Sequence, residues 1–134
     1  LMSTASGPLY GTAFMKAGQL MAGKDAVDIN GFVEILRVSI EGVKMRGKST
    51  TGEKTMLDAM VPALAAMEGA LKAVKDPKEI LLEGVEAAED GVAYTKTIIA
   101  TKGRASYLGE RSIGHQDPGA TSFTLMLSVI AKSL

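Results

Sequence analysis

Residues 76–99 read DPKEILLEGVEAAEDGVAYTKTII, and this stretch decides the fold class of the chain. It opens with Asp76 as a helix N-cap, Pro77 at the first helical position and Glu79 in the first turn. After this start, apolar residues recur at intervals of three and four positions, as on one face of an amphipathic helix. The stretch therefore predicts a helix that begins after Asp76 and continues to Ile99.

The same spacing predicts four further helices, and no stretch of alternating apolar and polar residues interrupts them. Pro62 falls within one of these helices, either near its start or at a kink. The sequence thus predicts an all-α fold, an antiparallel bundle or barrel with short connections, in one domain that comprises residues 1–134. The four further helices are expected from about Ser6 to Gly23, from Asp28 to Gly47, from about Thr55 to Lys75, and from Asp117 and Pro118 onward.

The composition excludes several classes of protein. The chain has no cysteine, which excludes disulfide frameworks, thiolate metal sites and cysteine nucleophiles. Its 15 basic and 15 acidic residues cancel, which argues against a general nucleic-acid binder. No apolar run approaches the ~18 residues of a membrane span, and no signal-like segment opens the sequence. We therefore expect a cytoplasmic protein that has neither nucleic acid nor membrane among its partners.

Several glycines, among them Gly69, Gly84 and Gly91, fall inside the predicted helices. A glycine at such a position costs up to ~1 kcal/mol relative to alanine. Close packing of neighbouring helices is the expected compensation. The sequence therefore predicts tight helix contacts at these positions.

Positive charge is concentrated in two of the predicted linkers. Residues 44–54 carry four basic side chains and one acidic one, and residues 102–117 carry three basic and two acidic ones. Basic residues near helix C-termini would explain the first linker without a ligand. The second linker is sixteen residues long without an apolar period, a length that is uncommon in a compact domain unless the segment is functional or disordered. Its Arg104 and Arg111 offer forked donors for phosphate or carboxylate, whereas the single histidine, His115, is assigned no catalytic role.

Two predicted helix starts, within residues 3–8 and 115–122, carry both glycine and proline. The first amides of a helix lack intrahelical partners, so an anion could bind them. Asp117 could instead cap its own helix, which would account for this residue without a ligand. Neither segment fits the GxxxxGK[ST] or GxGxxG pattern, and HExxH, SxxK and GxSxG are absent from the chain. The commonest nucleotide-binding and hydrolase signatures therefore do not apply.

Three motifs identify a family. They read Ser-Gly-Pro-Leu-Tyr-Gly at residues 6–11, Gly-Glu-Lys-Thr-Met-Leu-Asp at residues 52–58, and Gly-Arg-Ala-Ser-Tyr-Leu-Gly-Glu-Arg-Ser at residues 103–112 followed by Asp-Pro-Gly-Ala at residues 117–120. In this order and separation they closely resemble the nucleotide-binding domain of the dihydroxyacetone (glycerone) kinases. That domain is the separate L subunit of the bacterial phosphotransferase-dependent enzyme and a fused C-terminal domain of the ATP-dependent form. The resemblance covers essentially the whole chain.

The resemblance implies an eight-helix antiparallel barrel that holds ADP or ATP at one end, with its phosphates bound through two Mg²⁺ ions. It also implies a partner subunit or domain that carries dihydroxyacetone on a histidine. In the phosphotransferase-dependent form, a phosphohistidine protein recharges the bound ADP, and the sequence leaves open which phosphoryl donor operates. Transferred residue by residue, the resemblance places Ala5, Ser6 and Gly7 at the phosphate end, Gly47, Thr55 and Met56 around the nucleotide with Met56 against adenine, and Arg104, Asp117, Pro118 and Gly119 along the adenosine and phosphates.

The resemblance places the magnesium ligands outside this sequence. Family members hold both ions with an aspartate cluster in a Gly-Asp-Gly-Asp type segment ahead of the motif at residues 6–11, and no such cluster precedes Leu1. Asp25, Asp28 and Asp58 are isolated and do not replace it. We therefore expect about five of the eight helices here, and we assign no metal ligand and no catalytic residue within residues 1–134.

Two other functions stay open at this point. A helical adaptor or regulator would keep the fold for protein contacts alone, and a gene product without the aspartate cluster would favour it. A fatty-acid kinase type of domain is related, but the motifs at residues 6–11 and 103–112 look specific to the dihydroxyacetone kinases.

Overall fold

Four α-helices form the part of the chain that the computed structural model describes, namely residues 28–47, 51–52, 54–98 and 113–133. We number them α1 (Ile29–Gly47), α2 (Leu57–Lys72), α3 (Pro77–Thr95) and α4 (Pro118–Lys132). These residues include no strand, which confirms the predicted all-α fold class. No helix among them is both long enough and apolar enough to cross a membrane. The helix predicted from Ser6 to Gly23 lies outside the described residues.

The end of α2 comes earlier than predicted. The helix ends at Lys72 and not at Lys75, because Val74 adopts a left-handed conformation with a φ of 56°. Lys75 N–H then donates to the Ala70 carbonyl at 3.2 Å, which is the Schellman pattern that closes many helices. Pro62 lies at the sixth position of α2, and the helix continues through it.

The start of α3 confirms the prediction, whereas its end does not. The Asp76 carboxylate caps the helix by accepting hydrogen bonds from two backbone N–H groups of the first turn, at 2.9 and 3.2 Å. The helix ends at Thr95 and not at Ile99. Just beyond this end, the Lys96 carbonyl accepts a hydrogen bond from Gly114 N–H at 2.7 Å, so a contact with a distant segment replaces the next helical bond.

Among the described helices, α2 occupies the centre and contacts α1, α3 and α4. α3 runs antiparallel to both α2 and α4. The start of α2 lies beside the end of α3 at Asp58 and Gly91, and the end of α3 lies beside the start of α4 at Thr95 and Asp117. The apolar faces of the four helices share one core, whose largest fully buried side chains include Phe32, Leu36, Leu57, Met67, Ile80, Leu81, Phe123 and Leu127.

Gly69, Gly84 and Gly91 meet different surroundings. A Cβ atom on Gly91 would overlap the backbone oxygen of Asp58, so α2 and α3 touch there through their main chains. A Cβ atom on Gly84 would lie 2.7 Å from Cγ and Sδ of Met67, a side chain that can move. These two positions confirm the predicted tight contacts. At Gly69 the prediction is wrong, because this glycine is exposed and a Cβ atom there would meet nothing within 4 Å.

Candidate functional site

The starts of α2 and α4 meet at one end of the bundle. A Cβ atom on Gly119, in the first turn of α4, would lie 3.3 Å from Cβ and 3.6 Å from the backbone nitrogen of Met56. The end of α3 joins them, because Asp117 N–H donates to Thr95 Oγ1 at 2.9 Å. Thr95 is fully buried, and its hydroxyl in turn donates to the Val92 carbonyl at 2.6 Å. Two helix starts and one helix end thus form a single surface.

The turn before α2 is held by its own side chains. Asp58 Oδ2 accepts a hydrogen bond from Thr55 N–H at 3.0 Å, and Thr55 Oγ1 accepts one from Leu57 N–H at 3.2 Å. This reciprocal arrangement is a capping box of the Thr-x-x-Asp type. Asp58 Oδ1 also accepts a hydrogen bond from Gly52 N–H at 2.6 Å. Gly52 has a φ of +87°, a conformation that favours glycine.

Lys54 lies inside this turn as a buried cation. Only 4% of its surface is exposed, and its φ is 62°, which is unusual for a residue with a Cβ atom. Its Nζ donates to the Ile98 carbonyl, just beyond α3, at 3.3 Å. The ammonium therefore ties the turn before α2 to the chain that follows α3.

Asp117 caps α4, as one of the two interpretations of residues 115–122 predicts. Its Oδ2 accepts a hydrogen bond from Ala120 N–H at 2.8 Å, so the side chain already uses this amide. Burial raises the pKa of the Asp117 carboxyl above its ordinary value of 3.8, and the negative charge of Asp58 adds to this increase. The backbone N–H groups of Ala120 and Gly119 and the charge of Lys54 oppose the increase.

Five of the ten predicted nucleotide-binding residues gather at this end of the bundle: Thr55, Met56, Asp117, Pro118 and Gly119. Met56 is buried with 8% of its surface exposed, whereas Pro118 is exposed and Gly119 is half-buried.

The other five predicted residues are not placed at this surface. Gly47 is the last residue of α1. Ala5, Ser6, Gly7 and Arg104 lie outside the described residues, so their predicted roles stay predictions.

Sequence reasoning missed the role of Asp58, which it treated as an isolated acid. The available signal was the spacing Thr55-x-x-Asp58, a capping-box pattern at a helix start. The spacing did not reveal that the carboxylate is buried, with 2% of the residue exposed, because that depends on how α3 packs against α2.

The described residues do not fit a magnesium site. No group of three or more His, Cys, Asp or Glu side chains converges among them. Both oxygens of Asp58 accept backbone N–H groups, and Asp117 Oδ2 accepts the Ala120 N–H. Oxygens used in this way are poor candidates for the near-octahedral shell that Mg²⁺ requires.

An open groove of about 310 Å³ lies between α3 and α4 and includes none of the ten predicted residues. Its walls combine apolar side chains with a few polar ones and include one residue of each charge. It is lined by Glu89, Val92, Ala93, Lys96, Gln116, Thr121, Thr124 and Leu125.

The described residues define an all-helical domain in which the starts of α2 and α4 and the end of α3 converge on one surface. The chain belongs to the DAK2 domain family, which residues 1–132 match. This confirms the resemblance that the three sequence motifs predicted.

Bacterial relatives are similar over nearly the whole chain. The chain is 41% identical to the PEP-dependent dihydroxyacetone kinase, ADP-binding subunit DhaL, of Escherichia coli, with 95% of this chain and 60% of that protein covered. It is 42% identical to the ADP-binding subunit DhaL of PEP-dependent dihydroxyacetone kinase 1 from Listeria innocua, with 96% and 59% covered. It is 43% identical to the PTS-dependent counterpart from Lactococcus lactis, with 95% and 60% covered. The chain thus spans about three fifths of the length of these relatives.

Proposed function

We propose that this chain is the ADP/ATP-binding, phosphoryl-transferring part of a dihydroxyacetone kinase. The observation that carries the proposal is the contact between Met56 and Gly119, which brings two of the family motifs to one surface. The names of the relatives, each an ADP-binding subunit, support the same assignment.

The described residues suit the adenosine side of a nucleotide better than its phosphates. Around Met56, Pro118 and Gly119 the surface offers apolar groups, and Gly119 lets the start of α4 approach Met56 closely. The Asp117 carboxylate would repel a phosphate placed at the start of α4. We therefore propose that Ala5, Ser6 and Gly7 bind the phosphates. The forked donors of Arg104 bind the nucleotide where its adenosine and its phosphates meet.

A bound adenine nucleotide supplies the phosphoryl group that is transferred. Such a transfer needs positioning and electrostatic stabilisation more than a protein nucleophile. The role of this chain is accordingly to hold the adenosine in a fixed place, against the surface that the turn before α2 and the first turn of α4 form together. No residue of the chain is assigned covalent chemistry.

The proposal includes two partners and a location. A second subunit or domain binds dihydroxyacetone, and the reaction takes place in the cytoplasm. The bound nucleotide acquires its phosphoryl group either by exchange with free ATP or from a phosphohistidine phosphotransferase protein that recharges bound ADP, and the PEP-dependent and PTS-dependent relatives favour the second source. Adding each donor in turn to the complete gene product and its dihydroxyacetone-binding partner separates the two.

The binding site is tested by titrating the complete gene product with ADP in a calorimeter. Arg104→Ala should weaken ADP binding by about 1.5–3 kcal/mol, the contribution of a hydrogen bond to a charged group. Arg37→Ala is the matched control, because Arg37 pairs with Glu34 and Glu68 on α1 and α2, away from Met56 and Gly119. The control should keep the affinity of the unaltered protein.

Two outcomes would change the assignment. Unchanged affinity in Arg104→Ala would remove this residue from the site. A complete gene product that does not bind ADP would favour the alternative of a helical adaptor without enzymatic activity.

A further inference from the structure

Asp58 is a charged side chain that the core of the protein surrounds. The residue is 2% exposed, and each of its two carboxylate oxygens accepts a backbone N–H group, from Gly52 at 2.6 Å and from Thr55 at 3.0 Å. Hydrogen bonds to an ionised acceptor are about twice as strong as those between neutral groups. Asp58 therefore holds two points of the preceding turn at once.

The main chain of Asp58 is itself fixed against α3. Its carbonyl oxygen lies where a Cβ atom on Gly91 would be, so the two helices touch through their backbones at this residue. A rigid helix pair thus lies on one side of Asp58, and the turn before α2 lies on the other.

The turn needs such support, because it contains two residues with positive φ. Gly52 has a φ of +87° and Lys54 a φ of 62°. The second value is unfavourable for a residue with a Cβ atom and persists only where surrounding contacts impose it. The hydrogen bonds of Asp58 flank Lys54 on both sides and impose this conformation.

Resting on the proposed function, we propose that Asp58 is a positioning residue for the nucleotide. It does not touch the ligand. It holds the turn so that Met56 packs against Gly119 at the surface that binds the adenosine. Loss of its charge frees the turn and lowers the affinity for ADP even though the helices stay folded.

The test compares two Asp→Asn variants of the complete gene product at 25 °C. Asp58→Asn keeps the shape of the side chain but places an amide NH₂ against a backbone N–H. Asp76→Asn is the matched control, because Asp76 also accepts two backbone N–H groups at a helix start, at the opposite end of the α2–α3 pair. Calorimetry measures the Kd for ADP, and NMR hydrogen exchange measures the protection of individual amides.

We expect the Kd to rise about tenfold in Asp58→Asn, as for the loss of one charge-assisted hydrogen bond, and to change by less than about twofold in Asp76→Asn. Exchange should become faster at Gly52 and Thr55 in the first variant and at Lys78 and Glu79 in the second. A purely structural role would give folded variants with equal Kd values, so a folded Asp58→Asn protein with the Kd of the unaltered protein overturns the proposal.

A second variant covers the case in which Asp58→Asn does not fold. Gly52→Ala strains the same turn from an exposed position, where the added Cβ atom would lie 3.9 Å from the Tyr94 hydroxyl. The Kd for ADP should rise here as well, and an unchanged value overturns the proposal. Failure of the unaltered protein to bind ADP would be seen before any variant is compared, and it would overturn the proposed function itself.

Discussion

At the scale of single residues, two carboxylates hold the backbone of the candidate site, and each accepts hydrogen bonds from backbone N–H groups. Asp58 holds the turn before α2, and Asp117 caps α4. Both are acids at helix starts, yet their positions differ, because Asp58 is fully enclosed and Asp117 is half-buried. The raised pKa of Asp117 follows from its burial first and from the neighbouring charge of Asp58 after that.

This raised pKa predicts a specific pH dependence for Asp117→Asn. The native carboxyl holds its proton more tightly than the unfolded one, so its contribution to stability is present below the ordinary pKa of 3.8 and is lost as the pH rises through the native pKa. Asparagine still caps a helix but carries no charge. The melting temperature of the variant, relative to the unaltered protein, should therefore rise between pH 3 and pH 7.

Thermal melts of the two proteins over this pH range, without nucleotide, measure the difference. A difference that stays constant with pH, or that falls as the pH rises, would show that the native site does not disfavour the charge of Asp117.

At the scale of helices, the contact between α2 and α3 depends on one glycine. Gly91 lets the two main chains touch at Asp58, whereas Gly84 faces the movable side chains of Met67 and Leu127. Gly69 shares the helical environment of both but faces open space. The same residue type therefore supports packing at two positions and weakens its helix at the third.

Alanine at Gly91 and at Gly69 should have opposite effects on the free energy of unfolding. Gly91→Ala forces the Cβ atom into the backbone of α2, so we expect a loss of about 1–3 kcal/mol, as for other overpacked interiors. Gly69→Ala adds no clash and restricts the unfolded chain, so we expect a gain of about 0.5–1 kcal/mol. Urea denaturation of both variants measures the two changes. Equal stability of the variants would show that α2 and α3 do not approach as closely as Gly91 indicates.

At the scale of the whole molecule, the chain spans about three fifths of the length of its relatives. We propose, on the resemblance, that the ligands of two magnesium ions lie ahead of the first motif. The clustered charges of a nucleotide's phosphates need such cations, because arginine and lysine side chains attract the phosphates but do not replace octahedral coordination. On this proposal, tight binding of the nucleotide requires the complete site, with its magnesium ions.

The 134-residue chain expressed alone should accordingly show no magnesium-dependent binding of ADP and no kinase activity, even with the proposed dihydroxyacetone-binding partner present. ADP titrations with and without Mg²⁺, performed on this chain and on the complete gene product, measure the difference. Tight binding by the 134-residue chain that requires Mg²⁺ would show that the metal ligands already lie among these residues.

Much of the described fold follows from local sequence patterns. The Asp-Pro starts of α3 and α4 and the three-and-four spacing of apolar residues predict these helices, because a helix forms through contacts between residues a few positions apart. The three motifs likewise predict the family. Helix ends were predicted less well, since α3 ends where Lys96 bonds to Gly114, a residue from a distant segment.

Residues far apart in the sequence acquire their roles only from the tertiary structure. Spacing alone indicated neither that Met56 and Gly119 touch, nor that Gly91 contacts a backbone while Gly69 contacts nothing. The spacing likewise did not indicate that the Asp58 carboxylate is buried or that the pKa of Asp117 is raised. Local patterns determined the helices and the family, whereas these contacts were decided by packing, because burial and proximity depend on atoms from every helix that surrounds a residue.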